Sequence, residues 1–463
     1  FITPSVPFAE RWFIKMKVDR MKLMSEGNVS RSLLILGIPM VVSMLVTALY
    51  NVVDTYFVSG LGKQAVAAVS VAFPISLVFS GIGLTFGAGA GSYISRLLGK
   101  KDKETADKVA SVAMFSSIIV GILVASAILV FLAPVLVFMG AIPSIFDMAK
   151  EYAVIFVIST IFSTANVTAG NLAVAQGASN ISLTAMISGA VLNVILDPIC
   201  ITTMEMGVKG AAVATLISQI VTSIIYAWFF IGGRSYIKIA FSKFKPSAKL
   251  YGEILKVGVS MLLLQLLSSL SMSRISSAAG DYGEDAIAAM GIVLRIVTLG
   301  VNVVFGYMKG FQPMAGFNYG AKNYVRLREV IQSSLKWTTG FCILWTVLIF
   351  LLAAPILSLF GGDPTVLEIA VPALRANTIM FFTFGFQFTY STLYLAMGKA
   401  LEGGFLNICR QGILFMPIIL TLPSIWGLNG VIWAQAIADV LTTVVTILPA
   451  VRIHKLLHLP TEK

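Results

Sequence analysis

The chain has 463 residues, of which 57% are hydrophobic and only 12% charged, against about 25% charged in an ordinary soluble domain. That is too little charge to clothe a water-soluble surface, so the chain reads as a membrane protein. Its formal net charge of +12 invites a nucleic-acid reading, but the placement of the charges, given below, removes it. Cys200, Cys342 and Cys409 lie in apolar runs without metal-ligand or disulfide spacing, and His454 and His458 lie in the tail. With no nucleophile–base pair, metal cluster or phosphate loop, the chain is read as a non-enzyme without a resident cofactor.

The stretch Phe1 to Arg20 has the pattern of neither a signal peptide nor a spanning helix. Met21 or Met24 is the expected native start, and the alternative is a surface amphipathic helix using Trp12, Phe13, Lys15 and Lys17. Twelve apolar runs follow, each long enough to span a bilayer: 32–59, 65–97, 108–138, 150–175, 180–202, 208–231, 254–278, 286–317, 333–360, 369–396, 404–425 and 428–451. The fold class expected is an all-α membrane protein of two six-helix lobes. It divides into an N-terminal segment 1–31, a lobe 32–232, a linker 233–253, a lobe 254–451 and a tail 452–463.

Basic residues gather on alternate connections. They lie in the N-terminal segment (Arg11, Lys15, Lys17, Arg20, Lys22, Arg31) and after span two (Arg96, Lys100, Lys101, Lys103, Lys108). More lie after span six (Arg234, Lys238, Lys243, Lys245, Lys249, Lys256) and after span eight (Lys322, Arg326, Arg328, Lys336), with Lys399 and the tail. The opposite loops hold Lys63, Lys150 and Lys209, and carry Asp281, Glu284, Asp285, Asp363 and Glu368. This is the positive-inside pattern; it accounts for the net charge, and it predicts a plasma-membrane protein with both termini cytoplasmic.

The two halves match. At an offset of 221, Gly37, Met40, Gly62, Ala65, Gly89 and Gly99 fall on Gly258, Met261, Gly283, Ala286, Gly310 and Gly320. At 220, Gly207, Gly210 and Ala214 fall on Gly427, Gly430 and Ala434. Six spans per half is an even number, so both lobes enter from the same side and are related by a pseudo-two-fold along the membrane normal. Two such lobes around a cleft are a transporter design.

Acidic residues inside a membrane are costly and are functional candidates; those well inside are Asp54, Asp197 and Asp439. A rise of 1.5 Å per residue places Asp54, Asp197 and Thr215 roughly 8–12 Å below the same surface, with Asn193 one turn from Asp197. Two carboxylates, an amide and a hydroxyl suit a proton or a hard cation such as Na⁺. In the second half Asp54, Asp197 and Thr215 become Ile275, Pro417 and Gln435, so coupling is assigned to the first lobe. Asp439 and Arg410 fall at similar depth and are read as a structural ion pair, with a second-lobe site as the alternative. Arg274 and Arg295 have no evident partner. Pro39 frees a backbone carbonyl in span one and allows either a bend or a static kink. Gly83, Gly87 and Gly91 form a close-packing stripe, and the aromatic stripe Phe381, Phe382, Phe384, Phe386, Phe388 and Tyr390 is read as facing lipid or packing rather than substrate.

Span one, L-G-I-P-M-V-V-S-M-L-V-T-A-L-Y-N-V-V-D-T-Y-F-V-S-G-L-G, and span five, L-N-V-I-L-D-P followed by G-V-K-G-A-A-V-A-T-L-I-S-Q, resemble the multidrug and toxic compound extrusion family in its prokaryotic drug-exporter branch. The resemblance runs from Met24 to the last span. It implies a V-shaped pair of lobes and antiport of organic, often cationic, compounds against Na⁺ or H⁺. Its cation-site residues fall on Asp54, Asn193, Asp197 and Thr215, and its bending proline on Pro39. Some relatives carry an acid in span seven, where this chain has Gln265 and serines. The expected function is therefore a cation-coupled antiporter, working as a monomer on small organic substrates within the bilayer. A flippase for a lipid-linked or polyprenyl substrate is the alternative.

Overall fold

The computed structural model describes residues 20–359 and 363–458; the amphipathic reading of Trp12, Phe13, Lys15 and Lys17 falls outside them. Twelve helices among the described residues are long and apolar enough to cross a membrane. They are α1 (Val29–Ser59), α2 (Lys63–Gly99), α3 (Lys103–Val130), α4 (Pro143–Ala175), α5 (Ser179–Thr203), α6 (Val208–Ile231), α7 (Ala248–Gly280), α8 (Glu284–Gly320), α9 (Tyr324–Ser358), α10 (Pro364–Ala396), α11 (Ala400–Trp426) and α12 (Leu428–Leu457). The chain is a multi-pass membrane protein of two six-helix lobes.

The duplication is visible in the turns. Gly62 and Gly283, one at each α1–α2-type turn, both take a positive φ, +100° and +105°, a conformation that favours glycine. Asp102 and Asn323 are also 221 apart, and each caps the third helix of its lobe. Asp102 Oδ1 accepts from the Thr105 N–H and Asn323 Oδ1 from the Arg326 N–H, both at 3.1 Å.

Several boundaries differ from the apolar runs. The run 108–138 is two helices, because Phe131 leaves helical geometry (φ −105°, ψ 29°) and a short helix Leu132–Phe138 follows α3. α10 is broken by a tight turn at Phe381–Thr383, and α7 begins at Ala248 inside the expected linker. α12 continues to His458. Hydrophobicity marks only the lipid-thick part of a helix, whereas the backbone hydrogen bonding continues into the basic connections.

The packing core is divided. At the end carrying the basic connections, one buried cluster joins both lobes, with Leu33, Leu36, Phe86 and Ile94 against Tyr307, Phe311, Met314 and Phe317. At the acidic end each lobe has its own core: Val58, Ala68, Ile75 and Phe79 in the first, Ile275, Ala289, Val293 and Phe415 in the second. The lobes close on each other at the basic end and part toward the acidic end.

The helical glycines Gly37, Gly89 and Gly99, with their repeat partners Gly258, Gly310 and Gly320, are crossing points of this closure. A β-carbon on Gly310 would lie 2.5 Å from the Gly37 nitrogen, and one on Gly89 would lie 2.1 Å from the Ile254 carbonyl oxygen, beside Gly258. Gly99 and Gly320 make the equivalent pair of approaches, to Phe317 and to Arg96. At these crossings backbone touches backbone, and only glycine leaves room.

Hydrogen bonds add to the seal. Arg96 donates to the Met397 carbonyl at 2.9 Å and pairs with Glu253 at 3.3 Å. Ser92 donates to the Leu395 carbonyl at 2.6 Å. Residues 20–28 run across the seam. Their Arg20 lies over the Phe229 ring of the first lobe, while Arg326 and Asn318 of the second lobe donate to their carbonyl groups.

Candidate functional site

The Asp54 and Asp197 carboxylates adjoin, close enough to share a hydrogen bond when one holds a proton. Asp197 is fully buried, Asn193 and Thr215 are buried, and Asp54 is half-buried. Asn193 precedes Asp197 by four residues on α5, which puts both on one face. Its amide nitrogen stands 3.4 Å from Asp197 Oδ1 and 3.5 Å from Thr215 Oγ1. Turned over, the amide donates to Asp197 Oδ2 at 3.2 Å and accepts from the Thr215 N–H at 3.3 Å. The backbone loosens directly after the acid: Pro198 is followed by a π turn over Ile199–Thr203, a feature that recurs where helices carry functional side chains.

Two further residues belong to this site and are not among those named from the sequence. Tyr50, one turn before Asp54 on α1, and Tyr152 on α4 both lie within electrostatic reach of the two carboxylates. The four-residue spacing from Asp54 signals Tyr50; nothing in the sequence of α4 singles out Tyr152.

The second lobe holds a different arrangement. Arg410 donates from Nε to Asp439 Oδ1 at 2.9 Å and from Nη2 to Oδ2 at 3.3 Å, and Gln435 donates to the same carboxylate at 2.9 Å. The guanidinium also covers the Phe384 ring at 4.5 Å. A π turn over Cys409–Ile413 turns Arg410 inward. The repeat shows the origin of this pair. Asn166, Gln219 and Ser223 of the first lobe form a hydrogen-bonded cluster, and their counterparts Gln387, Asp439 and Thr443 form one in the second. Asp439 stands where the first lobe has Gln219, and at the same offset of 220 Arg410 stands where it has Ala190. The ion pair is thus a charged elaboration of a polar cluster that both lobes carry, and Arg410 matches the buried charge.

Where the first lobe has its acids, the second has apolar core: Ile275 is buried against Phe415 and Ile419. Pro39 lies buried in the seal region, and α1 passes through it as unbroken helix, with Ser43 donating to its carbonyl at 2.9 Å. Gly83 and Gly87 pack against Val167 and Thr168 of α4. Of the aromatic stripe, Phe381, Phe384, Phe388 and Tyr390 are buried, so it is packing. Arg274 and Arg295 are exposed and take no hydrogen bond or ion pair among the described residues.

Two parallel six-helix lobes about a cleft, with an adjoining pair of carboxylates in one of them, define a membrane transporter. The MatE family model matches residues 39–199 and 257–421, and the chain belongs to that family of membrane transporters. It is 26% identical over 434 residues to the multidrug export protein MepA of Staphylococcus aureus, covering 94% of this chain and 96% of that one. Among solved structures it is similar to an outward-facing multidrug resistance MATE family transporter of the MOP superfamily, with TM-score 0.88 and 29% identity, covering 94% and 98% of the two chains. A MOP superfamily transporter from Pyrococcus furiosus matches with TM-score 0.87 and 28% identity over the same shares.

Proposed function

We propose that this protein is a cation-coupled antiporter of the plasma membrane, exporting small organic compounds by alternating access, with Na⁺ or H⁺ entering through Asp54, Asn193, Asp197 and Thr215. The observation that carries the reading is the convergence of these four side chains, in the lobe that alone holds two adjoining carboxylates. Their donor set is all oxygen and amide, which fits a hard cation. Two adjoining carboxylates repel when both are ionised, so a bound proton or cation between them relieves that repulsion.

The positive-inside rule makes the sealed, basic end cytoplasmic. The cleft then opens outward, the arrangement named for one of the similar structures. In this reading a cation entering from outside neutralises the pair and favours the return of the lobes to the inward-open form. Binding one form more tightly than the other is what shifts such an equilibrium. Tyr50 and Tyr152 shape the polar surroundings of the acids. Arg410–Asp439 remains matched throughout and holds α11 against α12.

The test is efflux of ethidium from proteoliposomes with Na⁺ and H⁺ gradients imposed separately. The reading expects one of the two gradients to drive export and its collapse to stop it. Export indifferent to both gradients would contradict it.

A further inference from the structure

Lys309 lies on α8, eleven residues before the helix end at Gly320, within the membrane-spanning part. It is half-buried and takes part in no hydrogen bond or ion pair among the described residues. One turn on, Gln312 Nε2 is buried without a partner. Both line a cavity of about 20 Å³ between the lobes, closed by Ala88, Gly91 and Ser95 of α2 and Asn171 of α4. The Asn171 and Ser95 side chains donate to carbonyl groups of α2 and α4, and no carboxylate lines the cavity.

The repeat shows that this pair of donors is one-sided. Lys309 corresponds to Ala88 and Gln312 to Gly91, so each donor faces the region where the other lobe keeps a small residue. An unpaired cation in a membrane interior is costly and calls for a partner. The chain supplies none here, and an ammonium beside an amide N–H is a donor set for an oxyanion.

We propose that Lys309 and Gln312 form a docking point for a carboxylate on the compound being exported; this rests on the exporter reading. In the present conformation the cavity has room for about one water, too little for a carboxylate. The group is admitted when α2 and α4 part from α8, that is, when the basic end opens. Closing the seal removes that room and expels the carboxylate toward the cleft. The site therefore binds in one conformation and releases in the other, which is what directional export requires. The point adds a preference, among the exported compounds, for those that carry a carboxylate.

The test is equilibrium dialysis of 1-naphthylacetate, and of its neutral analogue 1-naphthylacetamide, against purified protein in lipid nanodiscs, with empty nanodiscs subtracted. The wild type is expected to bind the carboxylate about tenfold more tightly than the amide, the worth of one charge-assisted hydrogen bond. Lys309→Met is expected to lose that preference and Lys309→Arg to keep it. Gly99→Ala, which obstructs the seal, is expected to strengthen carboxylate binding. Equal binding of the two probes by the wild type, or a preference unchanged in Lys309→Met, overturns the proposal. Ethidium efflux from proteoliposomes carrying the same variants reports on the exporter reading separately, because the dialysis needs no transport.

Discussion

Arg326, in the first turn of α9, donates from Nε to the Met24 carbonyl at 3.1 Å and from Nη2 to the Gly27 carbonyl at 2.6 Å. Met24 itself is fully buried in the core that both lobes share. Backbone carbonyl groups ahead of α1 are thus held by a side chain of the opposite lobe. The bonds tie the segment ahead of α1 to the opposite lobe across the closed basic end, so they are expected to bias the protein toward that form. Arg326→Ala is expected to raise the labelling rate of Ser92→Cys, a position 1% exposed in the seal, by several-fold with a water-soluble maleimide. Arg326→Lys keeps the charge but not the forked geometry and falls between. An unchanged rate in Arg326→Ala would show that the bonds do not set the equilibrium.

The crossing glycines predict a second effect. A β-carbon on Gly258 would lie 2.0 Å from the Thr85 carbonyl oxygen, and that oxygen belongs to helix backbone, which cannot step aside cheaply. Gly258→Ala is expected to cost about 1–3 kcal/mol of the closed form. Transport should fall while membrane insertion is retained. Monitoring the same Ser92→Cys reporter should show faster labelling, and labelling at the wild-type rate would refute close contact as the reason for this glycine.

For Arg410 and Asp439 the expectation concerns stability. Breaking a buried pair by removing one charge costs about 3–5 kcal/mol, because the other is left uncompensated. Asp439→Asn is therefore expected to lower the thermal unfolding midpoint strongly. Replacing both, as Arg410→Met with Asp439→Leu, is expected to recover much of the loss, since an apolar pair leaves no stranded charge. A fully stable Asp439→Asn that no longer transports would assign the residue to coupling instead.

Much of the architecture was legible in the chain. Apolar run length found all twelve spanning helices, and the offset of 221 revealed the two lobes before any contact was known. The depth count brought Asp54, Asn193, Asp197 and Thr215 together because α1, α5 and α6 turn near one surface. What was not legible depends on which faces meet. The matched glycines stood out, but their role as crossing points between lobes needed the packing. Lys309 is inconspicuous because it falls within an apolar run among glycines, and nothing local shows that it lacks a partner. The π turns after Pro198 and at Cys409 were equally hidden, since no sequence pattern separates them from ordinary helix.

The central claim is that Asp197 exchanges the coupling ion. Asparagine at this position preserves shape and most hydrogen bonding but cannot change charge with the site's opening. The direct measurement is ethidium efflux from proteoliposomes under an inward cation gradient, comparing wild type with Asp197→Asn at matched reconstitution and thermal stability. The account predicts that gradient-driven efflux disappears in Asp197→Asn while the variant folds and inserts as the wild type does. Gradient-driven efflux at the wild-type rate in that variant would contradict it.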